Sequence, residues 1–142
     1  MIFKICLISP YLAPPRPVVN VVASATSPTS IRISWDPPSH SQRTPGLVRG
    51  HRIFFTKAED IISQTVYETK YGDNITKYVV REMALRNETV FDAGLTTYDI
   101  KGLQPYTNYC LWITVFTVAD SPNSRAVCLL TDEDRESIKI YE

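Results

Sequence analysis

Leu103-Gln104-Pro105-Tyr106-Thr107-Asn108-Tyr109 decides the fold, read together with Ser34-Trp35-Asp36-Pro37-Pro38 about seventy residues earlier. Pro105 fixes φ at a point where the chain can swing from one layer to another. Tyr109 follows within one strand's reach. Its ring can pack inward while its hydroxyl returns to a backbone group of the same corner. Trp35 ends the alternating run Ile31-Arg32-Ile33-Ser34-Trp35. Ile31, Ile33 and Trp35 fall on one face and Arg32 and Ser34 on the other, which is the period of a half-buried strand. A large ring at the end of such a face reads as the centre of a β core. The prolines after it stop the strand.

The two motifs resemble those of the fibronectin type III domain. In that family a Leu-x-Pro-x-Thr-x-Tyr turn opens strand F, and a Ser-Trp-x-Pro-Pro run closes strand B. The residues carrying the signature are Trp35, Pro37, Leu103, Pro105 and Tyr109. Gly50-His51-Arg52-Ile53-Phe54-Phe55 stands where the family's strand C has Gly-Tyr-x-Val-x-Tyr, with His51 in place of the usual Tyr. The resemblance runs from about Pro17 to Thr131. It implies an all-β fold, a two-sheet immunoglobulin-like sandwich, with a hairpin inserted between strands C and E. Residues 1–16 then form a flexible Pro-rich lead-in, 17–131 the domain, and 132–142 a charged tail or linker.

The remaining strands follow from alternation and turn residues. Strand A is expected over 18–25, B over 31–35, C over 47–57, E over 96–100, F from Tyr109 through Val115, and G over 125–131. The expected core is Val21, Ile31, Ile33, Trp35, Ile53, Phe55, Tyr98, Ile100, Leu103, Tyr109, Leu111, Ile113, Val127 and Leu129. The excess over the family length lies at about 58–87. There Thr65–Tyr71 and Ile75–Val80 are rich in β-branched and aromatic residues and flank Gly72-Asp73-Asn74. That pattern favours a hairpin. A short helix over Tyr78–Arg86, from the Val79/Met83 spacing, is the competing reading. Glu88-Thr89-Val90-Phe91 suits the family's C′ strand.

Lys plus Arg and Asp plus Glu are 15 each, so the formal charge is zero. A nucleic-acid binder would show a basic field, and an electrostatic membrane anchor a basic patch. Neither is expected. No apolar run approaches the roughly 18 residues that cross a bilayer. Met1–Pro10 is apolar but is broken by Lys4 and ended by Pro10, so it is not a convincing signal peptide. The two histidines are His40, in a Pro-rich loop, and His51, pointing inward from a strand. There is no His-x-x-x-His, no Cys-x-x-Cys and no Gly-rich phosphate loop. No catalytic, cofactor-binding or metal-binding residues and no cofactor are expected, and the chain does not read as an enzyme.

Three features are candidate sites. Asn74-Ile75-Thr76 and Asn87-Glu88-Thr89 are N-glycosylation triplets, both in expected surface turns. Cys110 and Cys128 fall on strands F and G, which are adjacent and antiparallel in the family. A register estimate brings them within a residue or two of each other, so a bridge and a free pair are both open. Cys6 is then odd. Phe54, Trp112 and Phe116 are expected on the outer face of the C–F–G sheet. Either they mark a protein-contact surface, or the insertion folds back over them.

The resemblance implies a non-catalytic extracellular recognition and spacer module of a cell-adhesion or receptor protein, membrane-bound or secreted. A second reading is the ligand-binding ectodomain of a signalling receptor whose insertion contacts a soluble ligand. The expected partner is an extracellular protein or an adjacent domain of the same parent. It would meet the outer C–F–G face away from both asparagines. No nucleic acid and no direct membrane insertion are expected.

Overall fold

A computed structural model describes residues 16–37, 48–68 and 74–134. Cys6, His40, Pro38, the hairpin tip Gly72-Asp73, most of the lead-in and most of the charged tail lie outside them. Among the described residues nine strands follow in order: β1 (Val19–Ser27), β2 (Ser30–Asp36), β3 (Gly50–Lys57), β4 (Ile61–Glu68), β5 (Asn74–Val80), β6 (Arg86–Val90), β7 (Thr97–Ile100), β8 (Asn108–Phe116) and β9 (Val127–Leu130). A 3-10 turn, Ala58–Asp60, joins β3 to β4.

These strands form three sheets, with strand orders β1-β2-β7, β6-β3-β8-β9 and β4-β5. All pairs are antiparallel. The first two sheets form the sandwich; strands A, B, C, C′, E, F and G are β1, β2, β3, β6, β7, β8 and β9. The third is the inserted hairpin.

Register explains the core. Ile31 lies opposite Ile100 and Ile33 opposite Tyr98 in one sheet; Ile53 lies opposite Ile113 and Phe55 opposite Leu111 in the other. Opposite residues share a face, so each register stacks its apolar set toward the facing sheet. Ile31, Ile33, Ile53, Ile100, Leu111 and Ile113 are fully buried, with Trp35, Leu103 and Tyr109 nearly so. Val21, Tyr98, Val127 and Leu129 pack against this cluster while partly exposed, and Val18 and Val115 join it. At one open side the Tyr98 hydroxyl bonds to Glu88 of the other sheet. That bond, then burial, pushes the phenol up to about 12.

The corner before β8 is built from hydrogen bonds. The Gln104 N–H donates to the Tyr109 hydroxyl at 2.9 Å. The Leu103 N–H donates to the Thr29 carbonyl at 2.9 Å, fastening the corner to the β1–β2 turn. The buried Thr131 hydroxyl accepts from the Thr107 N–H at 3.0 Å and donates to the Gln104 carbonyl at 2.7 Å. Tyr106 follows Pro105 with φ of 45°, a left-handed position that turns its own ring to solvent. Tyr109→Phe keeps the packed ring but leaves the Gln104 N–H without its acceptor. A loss of about 1–3 kcal/mol is expected in urea unfolding; an unchanged midpoint would show that water serves that N–H equally well.

Gly50 opens β3 where no side chain fits. A Cβ there would sit 2.2 Å from the Val90 carbonyl oxygen and 2.9 Å from the Phe116 ring.

The insertion forms the hairpin. Its first arm starts at Ile61, earlier than expected, and Gln64 lies opposite Tyr78. No helix forms over Tyr78–Arg86. Tyr78, Val79 and Val80 stay extended in β5, and residues 81–84 turn, with Met83 at φ of 68°. That turn reverses the chain so that β6 can lie along β3.

Candidate protein-binding face

The outer face of the four-stranded sheet carries the three aromatics singled out from sequence. Phe54 and Trp112 are cross-strand neighbours on β3 and β8, with rings nearly parallel and centroids 6.0 Å apart. Phe116 lies farther along β8 on the same face. The arrangement is aromatic as expected, but it is not open. Trp112 is only 4% exposed and Phe116 5%, and Phe54 is half-buried.

Two groups of side chains cover them. Tyr78 of the hairpin sets its ring 4.9 Å from that of Trp112, and burial pushes its phenol up. The Asn123 side-chain amide donates to the Thr76 carbonyl at 3.3 Å, fastening the hairpin to the loop after β8. Around Phe116, the Arg52 guanidinium stacks 4.2 Å above the ring while ion-pairing with Asp120, and Phe91 approaches edge-on at 5.7 Å. Phe54, Trp112 and Phe116 therefore form a second small core, and the expected contact surface at these residues does not exist. The hairpin closes it because burying such rings gains more than leaving them in water.

Part of the exposed apolar surface lies on the hairpin, beside that of Met83 and Phe91 elsewhere. Ile62 is 65% exposed and Val66 and Val79 55% each, and β4 is exposed along almost its whole length. Sequence reading did not single out Ile62 or Val66, and it singled out Val79 only for the helix that does not form. Their β-branched pattern marks a strand, and only the docked geometry says that this strand has no cover.

Cys110 and Cys128 lie directly opposite each other on β8 and β9 and form a disulfide, with Cα atoms 4.1 Å apart. Asn74 opens β5. Asn87 is not in a turn, as expected, but in the edge strand β6, because pairing with β3 extends back to Arg86. Trp35 is buried with its ring 5.3 Å from that of His51; Pro37 is exposed just past β2.

His51 is buried, and its Nδ1–H donates to the Asp92 carbonyl at 3.0 Å. Burial lowers its pKa below the ordinary 6.5, partly offset by that hydrogen bond and by the Asp92 charge. The folded imidazole resists the proton that the unfolded one accepts. The stability it supports is complete above about pH 6.5 and is lost as pH falls below it. The urea midpoint of the native chain should therefore drop more between about pH 7 and pH 5 than that of His51→Gln; parallel curves would remove His51 from the acid response. Among the described residues no three His, Cys, Asp or Glu side chains gather as a metal would require.

Comparison with known proteins agrees with this architecture. The family described as the fibronectin type III domain matches residues 13–127. The mouse netrin receptor DCC is 31% identical over 121 residues, covering 81% of this chain and 7% of the receptor. The Drosophila tyrosine-protein phosphatase Lar is 30% identical over 123 residues, covering 86% of this chain and 5% of that protein. The chain thus spans under a tenth of the length of these relatives. Among solved structures, the FN5 domain of Drosophila Lar superposes with a TM-score of 0.56 at 24% identity, covering 84% of this chain and 99% of that one. The fn3 domain of human contactin 1 gives 0.60 at 17%, covering 86% and 82%.

Proposed function

Because the chain belongs to the fibronectin type III family, we propose that it acts as a recognition and spacer module of a cell-surface or secreted protein, with the exposed arm of its inserted hairpin as the contact element. Modules of this family are non-catalytic, occur in adhesion and receptor proteins, and pair with neighbouring domains or extracellular partners. The observation carrying the hairpin assignment is the redistribution of apolar surface. The aromatic face is spent on internal packing, while Ile62, Val66 and Val79 stand in water. Zero formal charge favours a protein partner over a polyanion. The Cys110–Cys128 bridge supports maturation in an oxidising compartment.

The same arm also supports the second reading, a module that grips a soluble ligand, and one experiment separates the two. The chain, displayed as an oligomer, is tested against arrayed ectodomains and soluble secreted factors. Hits are then retested with Ile62→Ser and Val66→Ser, which leave Tyr78 on Trp112. A tenfold or greater loss, about 1.4 kcal/mol, at unchanged melting temperature supports the hairpin contact. A membrane-tethered hit favours the adhesion and spacer role, and a soluble one the ligand-gripping role. Hits that bind both variants at full strength place the contact elsewhere.

A further inference from the structure

We infer that Asn87 carries an N-linked oligosaccharide, and that this sugar guards the β6 edge of the four-stranded sheet. The inference rests on the extracellular reading above, because the donor sugar is transferred only in the secretory lumen. The acceptor triplet Asn87-Glu88-Thr89 lies wholly within β6, an edge strand of its sheet. Asn87 stands opposite Phe54 and Thr89 opposite Arg52, so both share the outer face with those residues. Both are exposed. Glu88 between them turns the other way, toward the Tyr98 hydroxyl. The two residues the transfer requires are thus free of the core, and the residue it ignores does the structural work.

In the transfer, the Asn87 side-chain nitrogen attacks C1 of an oligosaccharide held on a polyprenyl pyrophosphate. The N–C1 bond forms and the C1–O bond to pyrophosphate breaks. The amide proton goes to a base of the transferase, and the lipid pyrophosphate leaves. The reaction takes place on the chain before β6 pairs. The fold must then accept the product, and it does so because the position opens to solvent. A sugar at position 88 would have to enter the gap between the sheets.

The consequence concerns the strand edge. Among the described residues the outer edge of β6 pairs with no strand, and such an edge is a template for another chain. A bulky hydrated group on that strand blocks the approach. It also leaves β4, on the separate two-stranded sheet, as the side from which a partner can come.

The test expresses the full chain behind a secretory leader in animal cells, in an Asn74→Gln background that leaves one triplet. Amidase release is followed in lysate and medium together, so a secretion defect does not hide the result. One mobility step is expected, lost in Asn87→Gln and in Thr89→Ala and kept in Thr89→Ser, with peptide mapping showing Asp at position 87 after release. Protein with Cys110 and Cys128 bridged and Asn87 bare overturns the inference and leaves the extracellular reading standing. Free thiols on both cysteines count against that reading, whatever Asn87 carries. The edge role is read by light scattering. The Asn87→Gln protein should associate as its concentration rises where the glycosylated protein does not, and equal behaviour of the two would overturn that role.

Discussion

Trp35→Ala is expected to cost about 3–5 kcal/mol, as large-to-small changes at buried aromatics do. Domains of this kind hold a net stability of only about 5–15 kcal/mol, so the variant should stand near the edge of folding. Trp35 is held on several sides. Its backbone N–H donates to the Thr96 carbonyl at 3.0 Å, its ring lies against His51 of the opposing sheet, and the cluster around it contains Ile33 and Ile53. Truncation leaves a cavity lined from both sheets, and the strands around it cannot close without breaking their ladders. It also removes the cover from His51, so the acid sensitivity assigned to that imidazole should weaken in the same variant. Urea unfolding of the two proteins decides the matter; a loss below about 1 kcal/mol would mean that the ring is not the centre of the sandwich.

The sandwich was legible because its evidence is local. Pro105 and Tyr109 specify one corner within a single turn, and Ile31, Ile33 and Trp35 declare their face by period alone. Each strand of the core could be assigned without knowing what it paired with. The binding face was not legible, because whether a second face is open depends on a docking event between distant segments. One signal did point that way. Leu111-Trp112-Ile113-Thr114-Val115-Phe116 is nearly continuous in apolar residues, the pattern of a strand covered on both sides. All six residues are buried. Asn87 was misplaced for a related reason. Asn-Glu-Thr carries turn-like composition, yet β6 takes its conformation from pairing with β3 and not from its own propensity.

The closed aromatic face changes what Trp112→Ala should do. On an open face it would weaken a partner and spare the fold. Buried beneath Tyr78 and stacked on Phe54, it should instead destabilise the domain by about 3–5 kcal/mol. Tyr78→Ala should cost less, because that ring is only half-buried. The decisive quantity is the coupling between the two changes. If the hairpin seats Tyr78 on Trp112, the double variant should be more stable than the summed losses imply, by about 0.5–1.5 kcal/mol, the worth of an aromatic pair beyond its area. Additive losses would mean that the hairpin swings free, and Trp112 would then be available to a partner after all. The same geometry governs deletion of residues 61–80. Cutting the hairpin removes a contact arm and also uncovers Trp112, so a binding defect in that deletion would not identify the arm. Substitutions at Ile62 and Val66, which are more than half exposed and do not touch the Tyr78–Trp112 ring pair, separate recognition from packing.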